Sequence, residues 1–252
     1  MIKVTHIDHM GSDLSVVNAA RVSFGKESLW NWSKELDSDT GDGRTLRERD
    51  TKLIKYLAKH KHMSPFGHAF ASFHIKAPIF VARQLVKHKF LRWNEISRRY
   101  VDDEPEFYEP SEWRGRSEDK KQGSSDKVID TITVSKPDYE EAYMYPEDKM
   151  YLLPWTNYTE KVRDAVSFCN TGTLQLYEHL IEAGIAPEQA RMVLPQSTMT
   201  EWYWSGSLDA FADMCRLRCK EDTQAETQEV ARAISLEMED LFPVSWVALI
   251  DE

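Results

Sequence analysis

The sequence predicts an α+β fold with a central, mostly antiparallel sheet and several helices. Apolar residues recur with period two in some stretches and with helical period in others, without the regular strand–helix–strand alternation of a doubly wound sheet. No Gly-x-Gly-x-x-Gly follows a predicted strand, which argues against a Rossmann dinucleotide site. A chain of 252 residues, 41% of them hydrophobic, can bury a sizeable core. We therefore expect a single domain over residues 1–252, with an inserted surface excursion at about 101–157.

Composition limits the partners of the protein. With 32 basic and 42 acidic side chains, the net charge of −10 argues against non-specific binding to nucleic acid, which requires a broad basic surface. A phosphorylated ligand must therefore be bound by a local group of cations. The chain has no long apolar run and no signal-peptide pattern, and its three cysteines do not form a disulfide framework. We expect a cytoplasmic protein with reduced thiols and no membrane partner.

The first part of the chain predicts a strand followed by two helices. A short strand is expected from Ile2 to Ile7, and Ser12 is a plausible N-cap for the first helix. Thr45 to Glu48 has the spacing of a capping box, and the apolar residues after it recur at helical period. The second helix is expected to end near His62.

A strand and a third helix follow. Apolar and polar residues alternate from Ala69 to Lys76, which predicts a strand with one buried face. From Pro78 to His88 the apolar residues recur at helical spacing. Because this periodicity stops after Leu91, we expect a loop there.

The middle of the chain carries the predicted excursion. The polar stretch from Arg114 to Lys127 has almost no apolar residue to bury, and it predicts a mobile surface loop. The aromatic stretch from Tyr139 to Tyr151 is compatible with a lid, a subunit contact or a surface layer, and the sequence does not choose among them.

Helices and one strand fill the last third. Steps of three and four between apolar residues predict a helix from Thr159 to Ala183, with Gly184 as its C-cap. Pro187 and Pro195 bracket a short helix. A strand from Thr198 to Ser205 and two further helices complete the predicted elements. The first of these helices has Phe211, Cys215, Arg218 and Asp222 on one face, and the second has Val230, Ile234, Met238 and Leu241 on one face.

The segment from Gln84 to Tyr100 concentrates cations, amides, a carboxylate and a hydroxyl in an acidic chain. A solvated basic helix end would also contain Lys and Arg, because these complement the helix dipole. Asn94, Glu95 and Ser97 interleave with the cations, however, and such groups can recognise a base or a ribose. We interpret the segment as a nucleotide-binding strip, in which Arg and Lys bind phosphate.

Several blocks, in order along the chain, carry a family resemblance. They are Ala20 to Phe24, Ser64 to Phe66, Lys76 to Gln84, Lys87-His88-Lys89, Asn94-Glu95 with Ser97 and Arg99-Tyr100, Gln189 to Pro195, and Leu217-Arg218 with Gln224 and Glu226. Together they resemble the flavin-dependent thymidylate synthases, whose signature is Arg-His-Arg, seven residues, then Ser. Here Lys87 and Lys89 replace the two arginines, and Gly67 replaces a glutamate of the family.

The resemblance implies the site residues. Those expected to contact deoxyuridine monophosphate (dUMP) are Gln84, Lys87, Glu95, Ile96, Ser97, Arg98, Arg99, Arg191 and Arg218. Those expected to contact FAD, at a non-Rossmann site, are Ser64, Lys87, His88, Lys89, Glu95, Ser207 and Asp213. Ser207, Asp213 and Asp222 depart from the residues common in the family, and an acid beside a flavin diphosphate would be repelled by it.

The resemblance also implies the reaction, a methyl transfer catalysed by one domain. dUMP is reductively methylated to dTMP, with 5,10-methylenetetrahydrofolate as carbon donor and NADPH as reductant through FAD, in a homotetramer that shares its active sites. Arg218 would be catalytic, since a guanidinium beside uracil N3 stabilises the anion that activates C5. An ion pair with Asp222 four residues later is the structural alternative for Arg218.

No covalent nucleophile is expected. Cys215 suits packing, Cys219 points away from the Arg218 direction on a helix, and Ser97 lacks a neighbouring base. No metal is expected either, because the histidines between His60 and His74 lack acidic or thiolate partners at ligand spacing.

Two other functions stay open from the sequence. One is a non-catalytic nucleotide-binding or regulatory protein that has lost the flavin. The other is a flavin-dependent uracil methylase acting on RNA, which the acidic charge disfavours.

Overall fold

The computed structural model describes residues 1–32, 43–101, 103–118, 124–138 and 155–251. They form two compact units, one of residues 1–97 with 199–252 and the other of residues 98–198. The strands are β1 (Lys3–Met10), β2 (Asn31–Trp32), β3 (Arg44–Thr45), β4 (Phe70–Pro78), β5 (Leu91–Glu95), β6 (Arg114–Arg116), β7 (Ser124–Val128), β8 (Thr131–Pro137), β9 (Trp155–Lys161) and β10 (Met199–Ser207). The α-helices are α1 (Asp13–Arg21), α2 (Glu48–Lys59), α3 (Ile79–Leu85), α4 (Val162–Glu182), α5 (Pro187–Ala190), α6 (Leu208–Arg218), α7 (Ala225–Leu241) and α8 (Pro243–Ile250).

The first unit is built on a four-stranded antiparallel sheet in the order β1-β4-β10-β5. Phe73 of β4 lies opposite Trp204 of β10, and both side chains are fully buried. Their rings meet Phe211 of α6 edge-on, with centroids 5.3 and 5.6 Å away. The sheet and α6 therefore share an aromatic core.

Helices α7 and α8 complete this core. Ile234 of α7 is fully buried and Trp246 of α8 almost so. The buried carboxylate of Asp13 accepts hydrogen bonds from the backbone N–H groups of Val244 and Ser245, at 2.9 and 2.8 Å. Since these N–H groups belong to the first turn of α8, Asp13 ties α1 to that helix.

The second unit contains two separate two-stranded antiparallel sheets, β6-β7 and β8-β9, together with α4 and α5. The predicted mobile loop from Arg114 to Lys127 is wrong at both ends, because these residues pair as β6 and β7. Cross-strand pairing therefore orders the two ends of this polar stretch without a buried apolar face. The remainder of that loop, residues 119–123, and the aromatic stretch from Tyr139 to Tyr151 lie outside the described residues.

The α+β class and most predicted elements are confirmed. Ser12 is the N-cap of α1, and its backbone N–H donates to Ser15 Oγ at 3.0 Å. The period-two face of β4 is buried from Ala71 to Ala77. Gly184 follows α4 with φ of 81°, a left-handed conformation that favours glycine at a helix end. No helix among the described ranges is long and apolar enough to cross a membrane.

The predicted capping box at Thr45 is wrong. Thr45 belongs to β3, and its hydroxyl donates to the Asn31 carbonyl of β2 at 3.4 Å. The N-cap of α2 is Arg47, and the helix ends at Lys59, before the predicted end at His62. Pairing between β2 and β3 keeps the chain extended where the local pattern favours a helix start.

The loop predicted after the third helix is also wrong. Helix α3 ends at Leu85, so Lys87 and His88 lie in the turn that follows it, and Leu91–Glu95 form the edge strand β5 against β10. Gly206 of β10 permits this approach, because a Cβ there would lie 2.4 Å from Leu91 Cδ2 and 3.3 Å from the Phe90 carbonyl oxygen. The strand was missed because its two apolar residues, Leu91 and Trp93, are too few to show a period.

Candidate functional site

The guanidinium of Arg218 contacts two other residues that the sequence assigned to the site. Arg218 is the last residue of α6, and its Nε donates to His88 Nε2 at 3.0 Å. Its Nη2 donates to the Gln84 carbonyl oxygen at 3.2 Å. His88 and Arg218 are 130 positions apart in sequence, and the fold brings them into direct contact.

The alternative role of Arg218, an ion pair with Asp222 on one helix, does not fit this arrangement. Helix α6 ends at Arg218, so Asp222 lies beyond the helix and is not its neighbour one turn later. Two bonds hold the guanidinium towards α3 instead. A guanidinium has five N–H donors, so three remain beyond these two bonds to described residues.

The electrostatics keep His88 neutral. Burial is the main cause that lowers the pKa of His88, and the charge of Arg218 lowers it further, while Asp213 opposes the shift. Burial also lowers the pKa of Arg218, but a guanidinium remains charged near neutral pH. Since His88 Nε2 accepts a hydrogen bond, the neutral imidazole carries its proton on Nδ1. His88 therefore orients a cation without adding a second positive charge.

Gln84 connects this cluster to the next helix. Its Nε2 donates to Gln224 Oε1 at 2.6 Å, and Gln224 is the N-cap of α7. The ends of α3 and α6 and the start of α7 therefore meet around Arg218. We call Gln84, His88, Arg218 and Gln224 the Arg218 cluster.

Glu95, at the end of β5, has both carboxylate oxygens engaged. Thr200 Oγ1 donates to Oε1 at 2.7 Å, and Trp93 Nε1 donates to Oε2 at 3.1 Å. Trp93 in turn stacks on Trp202 with ring centroids 4.4 Å apart. The backbone N–H of Ile96 still pairs with the Glu201 carbonyl oxygen, at 2.9 Å. The sheet thus holds the carboxylate in one orientation.

Four other predicted flavin contacts, Ser207, Asp213, Lys87 and Lys89, range from a buried N-cap to exposed positions in a turn. Ser207 is the buried N-cap residue of α6, and its hydroxyl donates to Asp209 Oδ1 at 2.5 Å. Asp213 forms an ion pair with Arg216. The family resemblance implies that Asp213 lies near the flavin diphosphate, and this ion pair offsets the negative charge of its carboxylate. Lys87 and Lys89 are exposed in the turn after α3.

Three predicted dUMP contacts, Arg98, Arg99 and Arg191, belong to the second unit, whereas Ser97 is the last residue of the first part of the first unit. Arg98 Nη1 donates to the Asp103 carbonyl oxygen at 2.8 Å, and the Arg99 guanidinium lies 5.0 Å from the ring centroid of Tyr100. Arg191 Nε donates to the Glu188 carbonyl oxygen at 3.3 Å. The nucleotide contacts of these three arginines stay predictions.

A cavity of about 840 Å³ brings two of the family blocks together. Arg21, Ser23 and Phe24 line it from the first block, and Ser64 and Pro65 from the second. Helix α2 supplies a third wall that sequence reasoning missed, formed by Arg49, Lys52, Leu53, Tyr56 and Leu57. These residues follow one another in alternating steps of three and one, and this helical spacing is the signal that could have identified the wall.

The cysteines have distinct environments. Cys215 is buried in α6, its Sγ donates to the Ala231 carbonyl oxygen at 3.5 Å, and burial raises its pKa. Cys219 is half-buried, and its interaction with the neighbouring Cys215 thiol is the main cause that lowers its pKa to about 7. Among the histidines that were weighed as metal ligands, His74 Nε2 lies 3.1 Å from Glu201 Oε2. The part of the chain that the structure describes contains no group of three or more His, Cys, Asp or Glu side chains that could hold a metal.

The fold is similar to that of a solved nucleotide methylase. The chain is similar over its whole length to the UMP/dUMP methylase PolB from Streptomyces cacaoi bound with 5-Br UMP, with a TM-score of 0.71, 26% identity and 94% of that chain covered. The same enzyme bound with 5-Br dUMP matches with a TM-score of 0.71 and 28% identity, and 95% of that chain is covered.

The sequence comparisons define the family. The sequence model of the protein family described as "Thymidylate synthase complementing protein" matches residues 5–244 of this chain. The chain therefore belongs to this family. The flavin-dependent thymidylate synthase of Thermus thermophilus is 35% identical over 242 residues, covering 96% of this chain and 73% of the relative. That of Kosmotoga olearia is 36% identical over 245 residues, covering 97% and 88%. The predicted family and the prediction of a methyltransferase enzyme are thereby confirmed.

Proposed function

We propose that the protein is a flavin-dependent thymidylate synthase. It converts dUMP to dTMP, takes the carbon from 5,10-methylenetetrahydrofolate and uses NADPH as reductant through FAD. The observation that carries the proposal is the Arg218 cluster, in which a guanidinium is fixed by His88 and Gln84. Family membership and the names of the relatives support the same activity.

The residues present suit a flavin. Ser64 lines the 840 Å³ cavity beside the aromatic side chains of Phe24 and Tyr56, which can cover a planar ring. Lys87 and Lys89 offer exposed ammonium groups for the diphosphate. Held by these residues, FAD would supply the redox chemistry of the reaction, which links oxidation of NADPH to reduction of the one-carbon unit.

Arg218 would activate the pyrimidine. Methyl transfer to C5 requires an electron-rich uracil ring, and the anion formed by loss of the N3 proton provides it. A guanidinium that is already oriented stabilises this developing charge without reorganisation during the reaction. The neutral imidazole of His88 keeps the guanidinium in place and does not compete with it for the anion.

The protein is not expected to form a covalent bond to the nucleotide. Cys215 is buried, and a thiol whose pKa is raised carries little thiolate near neutral pH. Cys219 has a pKa of about 7 and is therefore the thiol on which this part of the proposal depends. The proposal also includes a homotetramer and a flavin site outside any Rossmann motif, which the family resemblance implies.

Arg218→Ala tests the proposal. We expect the wild-type protein to bind FAD, with a flavin absorption band, and to form dTMP from dUMP. The variant should lose dTMP formation far more severely than NADPH-dependent flavin reduction, because the N3 anion forms only when the nucleotide reacts. Arg163→Ala, at an exposed position of α4, is the matched control and should keep both activities.

Two results would contradict the proposal. A folded wild-type protein that cannot be reconstituted with FAD would indicate a nucleotide-binding protein without flavin. Equal loss of both half-reactions in folded Arg218→Ala would assign Arg218 a structural role.

A further inference from the structure

Two of the three cysteines of the chain lie one helical turn apart at the end of α6. Cys215 is inside the helix, and Cys219 is its C-cap residue, whose backbone N–H donates to the Cys215 carbonyl oxygen at 2.8 Å. Cys215 is buried and Cys219 is half-buried, so solvent reaches the Cys219 thiol while that of Cys215 is shielded. The third cysteine, Cys169, is exposed on α4 in the second unit. The first unit therefore has a thiol pair with one accessible member.

The two thiols of this pair have opposite tendencies to ionise. Interaction with Cys215 is the main cause that lowers the pKa of Cys219 to about 7; burial opposes this shift, and the charge of Arg232 on α7 supports it. Burial is the main cause that raises the pKa of Cys215, and the interaction with Cys219 raises it further. Near neutral pH, Cys219 therefore carries a substantial fraction of thiolate while Cys215 keeps its proton. The thiolate is the form of cysteine that reacts as a nucleophile.

The thiol pair is separate from the groups that would contact the nucleotide. The guanidinium of Arg218 is directed to His88 and to the Gln84 carbonyl oxygen, and the Arg218 cluster contains no thiol. Cys215 Sγ donates to the Ala231 carbonyl oxygen of α7 at 3.5 Å, so it is held between two helices of the core. The proposed reaction therefore uses neither thiol, and the pair is available for chemistry of its own.

We propose that Cys219 is a site of reversible oxidation by hydrogen peroxide and that Cys215 is its disulfide partner. The Cys219 thiolate attacks one peroxide oxygen, so that an S–O bond forms and the O–O bond breaks, which gives Cys219 sulfenic acid and a hydroxide that water protonates. The Cys215 sulfur then attacks the Cys219 sulfur; an S–S bond forms, the S–O bond breaks, and the hydroxide leaves with the Cys215 proton as water. Two electrons pass from the thiols to the peroxide. Loss of the negative charge on Cys219 in the first step also makes Cys215 easier to ionise for the second.

Helix geometry allows this disulfide only with a local movement. A rise of about 1.5 Å per residue places the Cα atoms of residues four apart about 6 Å from each other, inside the range of about 4.4–6.8 Å for disulfides. Their Cβ atoms lie about 5–6 Å apart, whereas a disulfide requires about 3.5–4.5 Å. Closure must therefore bring Cys219 roughly 1–2 Å closer to Cys215. As the C-cap, Cys219 can move with less disruption than a residue inside the helix.

This movement would be transmitted to Arg218, the residue directly before Cys219. The turn after α6 is held by Gln228 Nε2, which donates to the carbonyl oxygens of Cys219 and Lys220 at 3.3 and 2.7 Å. Closure of the disulfide pulls the last turn of the helix against these bonds. We therefore expect oxidation to disorient the Arg218 guanidinium and to lower dTMP formation. This consequence rests on the proposed function, whereas the oxidation itself does not.

Peptide mapping and turnover, measured on the same samples, test the inference. The FAD-loaded protein is treated with hydrogen peroxide without NADPH and analysed by mass spectrometry before and after dithiothreitol. We expect a Cys215–Cys219 disulfide with Cys169 still reduced. We also expect dTMP formation to fall roughly 10-fold or more, the scale of one lost charge-assisted hydrogen bond, and dithiothreitol to reverse both changes. Cys219→Ala and Cys215→Ala should resist this inactivation, whereas Cys169→Ala, the matched control at an exposed thiol, should behave as the wild type.

Alkylation of the reduced protein tests the interaction within the pair. The rate at which iodoacetamide modifies Cys219 should rise with pH around a midpoint that follows its pKa of about 7. In Cys215→Ala this midpoint should move to higher pH, because the variant removes the main cause of the lowered pKa. If Cys215→Ala fails to fold, the wild-type midpoint and the Cys219→Ala variant decide.

Three results would overturn the inference. They are absence of the Cys215–Cys219 disulfide after peroxide treatment, oxidation of Cys169 as readily as Cys219, and peroxide inactivation that persists in Cys219→Ala. Unchanged dTMP formation by the disulfide-bonded protein would refute the transmission to Arg218. A wild-type protein that forms no dTMP before oxidation would refute the proposed activity, whereas the peptide map and the alkylation midpoint would still decide the chemistry of the thiol pair.

Discussion

Removing His88 should disorient Arg218. In His88→Ala the guanidinium loses the acceptor of its Nε–H, which lies 3.0 Å away in the wild type, and keeps only the longer bond to the Gln84 carbonyl oxygen. A hydrogen bond from a charged donor contributes about 1.5–3 kcal/mol, so kcat for dTMP formation should fall by roughly 10- to 150-fold. His88→Gln, whose amide oxygen can accept the same bond, should recover part of the rate.

The assay separates this role from flavin binding. Single-turnover formation of dTMP reports on the pyrimidine step, while the absorbance of bound FAD reports on cofactor content. We expect flavin content to be largely retained in both His88 variants. His179→Ala, at an exposed position of α4, is the control for removal of an imidazole. Equal rate losses in His88→Ala and His88→Gln would refute the orienting role, and so would a normal rate in His88→Ala.

The pH dependence provides a second check on His88. Its pKa lies below the ordinary value of 6.5, mainly because of burial, so the folded state favours the neutral imidazole. The unfolded chain therefore binds this proton more readily, and the free energy of unfolding should decrease as pH falls below about 6.5 and be unaffected above it. Activity should fall only at a still lower pH, near the depressed pKa of His88 in the folded state, since protonated Nε2 cannot accept the Arg218 bond. In His88→Gln this acidic limb should be weakened.

Three further predictions concern the strip and the thiols. Arg99→Ala should weaken dUMP binding by roughly 1.5–3 kcal/mol, as expected for loss of a charge-assisted phosphate contact. Unchanged affinity in a titration with dUMP would contradict a phosphate contact by Arg99. Lys87→Arg and Lys89→Arg, which restore the planar fork at constant charge, should retain or tighten FAD in an equilibrium titration; loss of flavin in both would contradict this. Cys215→Ala and Cys219→Ala should each keep measurable dTMP formation. Mass spectrometry tests for a covalent nucleotide adduct on either thiol. An adduct on a thiol whose Ala variant is inactive would contradict a mechanism without a protein nucleophile.

Local patterns in the sequence were sufficient for the elements with a buried face. The alternation of β4 and the helical spacing of α4 were recognisable because burial repeats every two residues in a strand and about every 3.6 in a helix. The same patterns failed for β5, where an edge strand with few apolar residues pairs with β10 through its backbone. They failed also at the end of α3 and at Thr45, where strand pairing or a turn overrides the local preference.

The sequence by itself determined which residue types are available for the site, because Gln84, His88, Glu95 and Arg218 lie in blocks that resemble a known family. It did not determine their contacts. The bond from Arg218 to His88 spans 130 positions, and the anchoring of Arg21 by Asp50 spans 29. Such contacts depend on how helices pack against a shared core, since hydrogen bonds require atoms within about 3 Å and sequence spacing constrains distance only within one element. Only the tertiary structure therefore decided that His88 contacts Arg218 and that the buried carboxylate of Asp50 holds Arg21 at the 840 Å³ cavity.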